Sequence, residues 1–203
     1  AYSRPRQNGV NAITIKEGDQ LLEARLTNGK SEIMIAVRSG KAIRFNEEKV
    51  RAIGRTASGV KGVTLGGKDD EVIGMVCVQD ENEDILVISE NGFGKRSKID
   101  DYRITNRGGK GVKTINITEK TGKLIAVKTV SNDNDLMIIT QNGLTIRLAV
   151  SSISILGRAT QGVRLINLKN DDRIASVARV EVEETEDESV NDEIGDNEAN
   201  NLE

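Results

Sequence analysis

Residues 54–63 read GRTASGVKGV, and residues 157–166 read GRATQGVRLI. Both carry arginine in second place, Gly-Val in sixth and seventh, and a basic residue in eighth. Resemblance at that distance points to one structural unit copied along the chain, so the period decides the fold. Aligned on Gly-Val, four copies appear at Gly9, Gly59, Gly111 and Gly162, with spacings of 50, 52 and 51 residues. A second register falls between them, in SEIMIAVRSGKAIRF, EDILVISENGFGKRS and NDLMIITQNGLTIRL, whose glycines Gly40, Gly92 and Gly143 are 52 and 51 residues apart.

Each segment of the second register is an apolar, β-branched run, then Ser-Gly or Asn-Gly, then another run, which is the signature of a β-hairpin with a two-residue turn. Further strand-like runs occur in each repeat, GVKGVTL and EVIGMVCV in the second, GVKTINI and KLIAVKTV in the third. Four strands per repeat of about fifty residues predict an all-β chain of propeller blades, four-stranded sheets repeated radially so that edges are protected. The expected repeats span roughly residues 3–50, 51–102, 103–153 and a partial 154–180, followed by an acidic tail over 181–203.

Composition narrows the function. The chain of 203 residues has no histidine, so the commonest general base and metal ligand are missing. Cys77, the one cysteine, lies in the apolar run VIGMVCV and reads as an inert buried thiol. No signal peptide or long apolar span is evident, which implies a cytosolic protein, and the start within YSRPRQNGV suggests a piece of a longer one. The net charge of −3 conceals a division. From Glu181 onward there are 11 acids and no lysine or arginine, leaving 21 of the 32 acids against all 29 basic residues, about +8, in the body. A basic body with an acidic tail suits a polyanion binder carrying its own competitor, or a tail that aids solubility.

The basic residues recur in register. Four residues after each hairpin glycine stands Arg44, Arg96 or Arg147, with Lys95 and Lys98 beside the second. Four residues before the Gly-Val glycine stands Arg55, Arg107 or Arg158, while the first copy has Arg4 and Arg6 around Pro5. Two residues after it comes Lys61, Lys113 or Arg164, with Asn11 in the first copy, and Lys110 precedes Gly111. In GKAIRF and GLTIRL, period-2 alternation puts Arg44 and Arg147 on the face opposite their apolar neighbours, Ile43 and Phe45 or Ile146 and Leu148, away from the packed side of the blade. Each arginine could tie a loop to a carboxylate, but repeated around a ring the set forms a basic belt able to contact phosphates at regular intervals. Tyr2, Phe45, Phe93 and Tyr102 are too few for base stacking, so duplex DNA held by its backbone fits better than single strands or RNA.

The runs RAIGRTASGVKGVTL, ENGFGKRSKIDDYRITNRGGKGVKTINIT and VSSISILGRATQGVRLINL closely resemble the C-terminal domain of the DNA gyrase A family, from about Ser3 to about Val180. The related topoisomerase IV domain ranks second. The resemblance implies a β-pinwheel whose blades exchange strands, six in the full domain, and a non-catalytic module that wraps duplex DNA so that the holoenzyme introduces negative supercoils. It implies the remainder of gyrase A and its companion gyrase B as partners in a heterotetramer, with ATP and Mg2+ bound elsewhere and no cofactor here. The family's seven-residue box, which the resemblance places in the first blade, is matched by Thr105–Gly111 only in its last five positions, and their place in the third visible repeat makes them an ordinary inter-blade loop.

Two other classes stay open. A protein-interaction propeller would expose apolar or aromatic patches in place of a recurrent arginine rim. A propeller hydrolase would want paired acids in a central pocket, whereas Asp69-Asp70-Glu71, Asp100-Asp101 and Asp171-Asp172 read as turn residues. The RGGKG run lacks the strand-loop-helix setting of a nucleotide loop.

Overall fold

The computed structural model describes residues 4, 6–78, 80, 82–169 and 171–181, so the acidic tail beyond Glu181 lies outside the described residues. They form eleven strands and three short 3-10 turns, with no α-helix among them. The strands are β1 (Glu32–Val37), β2 (Lys41–Asn46), β3 (Val72–Val78), β4 (Asp84–Ser89), β5 (Phe93–Lys98), β6 (Val112–Lys113), β7 (Leu124–Val130), β8 (Asn134–Thr140), β9 (Thr145–Ala149), β10 (Val163–Arg164) and β11 (Ile174–Glu181). Residues 47–49, 99–101 and 150–152 make one 3-10 turn after each hairpin.

Pairing follows the repeat but does not respect it. The three expected hairpins form, β1-β2, β4-β5 and β8-β9, each turning at a glycine with positive φ (Gly40, Gly92 and Gly143). Each hairpin takes a long strand on one side, giving β3-β1-β2-β6, β7-β4-β5-β10 and β11-β8-β9. The fourth strand comes from farther along the chain: Val112 and Lys113 of β6 pair with Ala42 and Lys41, and Val163 and Arg164 of β10 pair with Gly94 and Phe93. Strands are thus exchanged between blades, as in a pinwheel.

Glycine is required at this exchange. Gly111 has φ +71, and a Cβ there would run into the Ala42 carbonyl; Gly162 is its counterpart, where a Cβ would lie 2.6 Å from the Gly94 oxygen. The run GVKGVTL, expected as a strand, forms none, because no hairpin among the described residues precedes β1 to receive Gly59-Val60. Residues 21–26 likewise form no strand, and Leu21, Leu22 and Leu26 are exposed.

The core sits between sheets. Ile85 and Val87 of β4 face the first sheet, packing with Met34, Ala36 and Val76 there and with Tyr102 and Val127 on their own side. Their neighbours Leu86 and Ile88 face the third sheet, with Leu136, Ile138, Val150, Ile153 and Val177. The middle sheet therefore buries both faces, and each such side chain contributes about 1.5–3 kcal/mol by leaving water. The long strands β3, β7 and β11 lie side by side on the inner edge of the stack. The two-residue strands β6 and β10 form its outer edge.

Candidate nucleic-acid interface

The outer edge is assembled by a repeated hydrogen bond. Arg55 donates through Nη1 to the Asn11 carbonyl at 3.0 Å, Arg107 to the Lys61 carbonyl at 2.9 Å, and Arg158 to the Lys113 carbonyl at 3.0 Å. Each acceptor lies two residues after a Gly-Val glycine, so the loop arginine of one repeat clasps the same position of the repeat before it, which is Asn11, Lys61 or Lys113. At two of the three steps the residue clasped is itself basic: Arg107 holds the main chain of Lys61, and Arg158 that of Lys113.

Backbone bonds fix the loop beneath the first of these pairs. Gly108 N donates to Gly62 O, Thr64 N to Gly109 O, and Thr64 Oγ1 to Gly108 O, while Arg107 Nε donates to Lys49 O. Lys61, Lys110 and Lys113 are exposed, and none of them forms an ion pair with a carboxylate among the described residues. Arg164 is exposed with its guanidinium 5.3 Å from the centre of the Phe93 ring, which Lys120 approaches to 5.4 Å, and Arg164 Nη1 donates to Asn167. Arg4 and Arg6 are exposed near the chain start.

The hairpin arginines do something else. Arg44 and Arg96 are 7% and 5% exposed, and the expectation that they point away from the packed side is corrected. Arg44 ion-pairs with Glu32 and donates to the Ile99 and Tyr102 carbonyls of the next sheet's turn. Arg96 donates to the Ile153 carbonyl and to Asn132, with Asp84 3.4 Å away. Alternation does place Arg44 opposite Ile43 and Phe45, but the face on which Arg44 and Arg96 lie in their repeats is covered by the following sheet. Arg147, on the third sheet, has no such cover among the described residues; it pairs with Asp135 at 2.5 Å and is 55% exposed. Lys98 is exposed and pairs with Asp84 at 2.8 Å.

Lys95, expected at the surface, is fully buried, its Nζ donating to the Gly157 carbonyl. Burial is the main cause that pushes its pKa down to about 8. Lys41 is not one of the recurrent basic residues, yet β2-β6 pairing sets it opposite Lys113. Its position is Phe93 and Leu144 in the other repeats, so a search for recurrence passes over it.

The clustered acids serve turns: Asp70 accepts from Ser39 and Gly66, and Asp172 from the Asn142 and Arg173 amides. A cavity of about 1010 Å³ on the inner edge, between β3, β7 and β11, is lined on its acidic side by Glu83 and Glu181, with Arg179 hydrogen-bonded to Glu83. No group of three potential metal ligands occurs among the described residues. No helix among them is long and apolar enough to cross a membrane.

A family model for the DNA gyrase C-terminal domain, a β-propeller, matches residues 1–28, 31–79, 83–131 and 134–181. The chain belongs to the DNA gyrase C-terminal domain family. Its three complete matched units each begin at a hairpin and end with a long inner strand, so β6 and β10 leave their own unit to complete the sheet before. This domain is 48% identical over 193 residues to the DNA gyrase A protein of Staphylococcus aureus strain NCTC 8325 / PS 47, which covers 95% of the chain. It spans 22% of the length of that relative. Among solved structures it superposes on a DNA topoisomerase IV C-terminal domain with a TM-score of 0.82, at 23% identity, over 89% of this chain and 56% of the other. A DNA gyrase A C-terminal domain gives 0.77 at 24% identity, over 86% and 59%. The strand-exchanged β-pinwheel is therefore the fold of this gyrase-family domain.

Proposed function

We propose that this chain is the duplex-DNA binding and wrapping module of a DNA gyrase A protein, holding DNA along its outer edge with little sequence preference. The observation that carries this reading is the stepwise clasp of Arg107 on the Lys61 main chain and of Arg158 on the Lys113 main chain, which sets two basic residues together at each of two blades along the same edge, with Lys61 and Lys113 exposed. Phosphates met at regular intervals release counterions at each contact, and several contacts together offset the roughly 1–6 kcal/mol needed to bend a site of 20–30 base pairs.

In the whole protein this module would deliver a bent segment to the strand-passing machinery, together with the remainder of gyrase A and with gyrase B, in the bacterial cytoplasm at the nucleoid. ATP and Mg2+ would be used on those other parts, and the domain itself contributes binding only. The acidic residues from Glu181 to Glu203 would compete with phosphate for the outer edge. The test is duplex affinity of the chain, with and without residues 182–203, across a salt series and on unrelated sequences. Steep salt dependence with sequence-independent affinity supports the reading; failure to bind duplex at low salt, tail absent, refutes it.

A further inference from the structure

The three hairpins place different residues at one position. Three residues after the turn glycine stand Ile43, Lys95 and Ile146. Ile43 lies in an apolar cluster beneath Gly109 of the loop that crosses β2. Lys95 lies beneath the corresponding loop across β5, fully buried, with Nζ on Gly157 O. That oxygen belongs to the residue immediately before Arg158.

The two loops are tied down differently. The first has the bonds Gly108 N to Gly62 O, Thr64 N to Gly109 O and Thr64 Oγ1 to Gly108 O. In the second, Asn116 N donating to Thr160 O repeats one of these three, and the bonds from Lys95 Nζ to Gly157 O and Ser97 Oγ to Leu156 O enter from below. A charged donor thus stands where the other sheets use isoleucine and supplies a hold on the loop. A charge-assisted hydrogen bond is about twice as strong as a neutral one, so the hold depends on the ammonium being charged.

We propose that Lys95 is a positioning residue of the outer edge: its ammonium fixes the loop from which Arg158 clasps Lys113, and duplex binding at this blade pair depends on its protonation. The inference rests on the duplex-binding reading above. The titratable and charged groups acting on Lys95 are Asp101 of the 3-10 turn, which favours its charge, and Arg158 of the loop, which opposes it. Tyr102 is buried nearby under the same two charges, its hydroxyl pushed up by burial. Phosphate bound at Arg158 offsets that guanidinium's charge and so favours the protonated Lys95, which couples DNA binding to proton uptake.

The experiment measures affinity of the full chain for a duplex of arbitrary sequence from pH 7 to 9.5, beside K95M, K95I and K95R. Wild-type affinity is expected to fall about fivefold more than that of K95M or K95I, the difference between a charge-assisted and a neutral hydrogen bond. K95R should hold its affinity across the range. Folding stability supplies the contrast. Because burial lowers the pKa of Lys95 below that of the unfolded chain, the folded state binds fewer protons between about pH 8 and 10.5, so wild-type stability rises relative to K95M as pH increases there. Affinity falling while relative stability rises supports the assignment, whereas a purely structural role moves both together. Parallel pH profiles for wild type and K95M overturn it while leaving duplex binding intact. No binding by wild type at any pH overturns the functional reading itself.

Discussion

Replacing Arg96 by alanine should cost stability without first costing DNA contacts. The guanidinium is 5% exposed, donates to the Ile153 carbonyl and the Asn132 side chain, and lies 3.4 Å from Asp84, itself 4% exposed. Breaking a buried ion pair typically costs about 3–5 kcal/mol, because the partner is left uncompensated. Here Asp84 keeps Lys98 at 2.8 Å, which shifts the expectation toward the lower end, while the Ile153 carbonyl loses a donor at roughly 1–3 kcal/mol. The expected loss is therefore about 4–6 kcal/mol, or a melting temperature lower by roughly 8–24 °C for a domain of this size. Arg147, at the same hairpin position but 55% exposed, should cost under about 1 kcal/mol when changed to alanine. Urea denaturation of both variants decides the matter, with duplex affinity measured where each is folded. Equal stability losses, or an Arg96→Ala protein as stable as wild type but with a flatter salt dependence of DNA binding, would refute the view that the hairpin arginines act as bolts between sheets.

Changing Arg107 and Arg158 together to alanine should cost about 1–3 kcal/mol, for the three loop hydrogen bonds lost with these two half-buried side chains, while reducing the slope of log affinity against log salt by about 2; an unchanged slope removes them from the DNA path. Gly111→Ala should destabilise by more than about 2 kcal/mol, because a Cβ would collide with the Ala42 carbonyl from a left-handed backbone, whereas Gly143→Ala, with nothing within 4 Å, should show only the backbone strain; denaturation midpoints compare them. Deleting residues 182–203 should raise duplex affinity most at low salt, as screening removes the competition otherwise; titration at roughly 50 and 200 mM salt checks this.

The period, the hairpins and their glycine turns were legible because they depend on local pattern: β-branched runs and positive-φ positions recur at about 51 residues. Which loop arginines recur was equally legible, but not what they hold, since Arg107 and Lys61 are 46 residues apart and meet only through strand exchange. The face of the hairpin arginines was misread because alternation separates two faces without saying which meets water, and in a stack both can be covered. A signal for their true role was present. Glu32, Asp84 and Asp135 each precede Arg44, Arg96 and Arg147 by twelve residues, and a carboxylate copied in step with an arginine marks a cross-strand pair. The burial of Lys95 had a signal of another kind: its counterparts Ile43 and Ile146 are apolar, which marks a packed position that the charge of lysine disguised.

The exchange of β6 and β10 has a mechanical meaning. Each outer strand belongs to one unit of sequence and another unit of structure, so neighbouring blades are hinged by covalent chain as well as by contact, like links of a roller chain. Because β6 and β10 present the same Gly-Val-basic tooth to their acceptors, excising one whole unit, such as 83–131, would bring the next tooth to the vacated hairpin without a new interface having to be invented. Length in such an assembly is counted in whole links. A duplex lying along its edge would be turned through a fixed increment for each one, so that gain or loss of a repeat alters the arc in steps where point substitution only alters the grip.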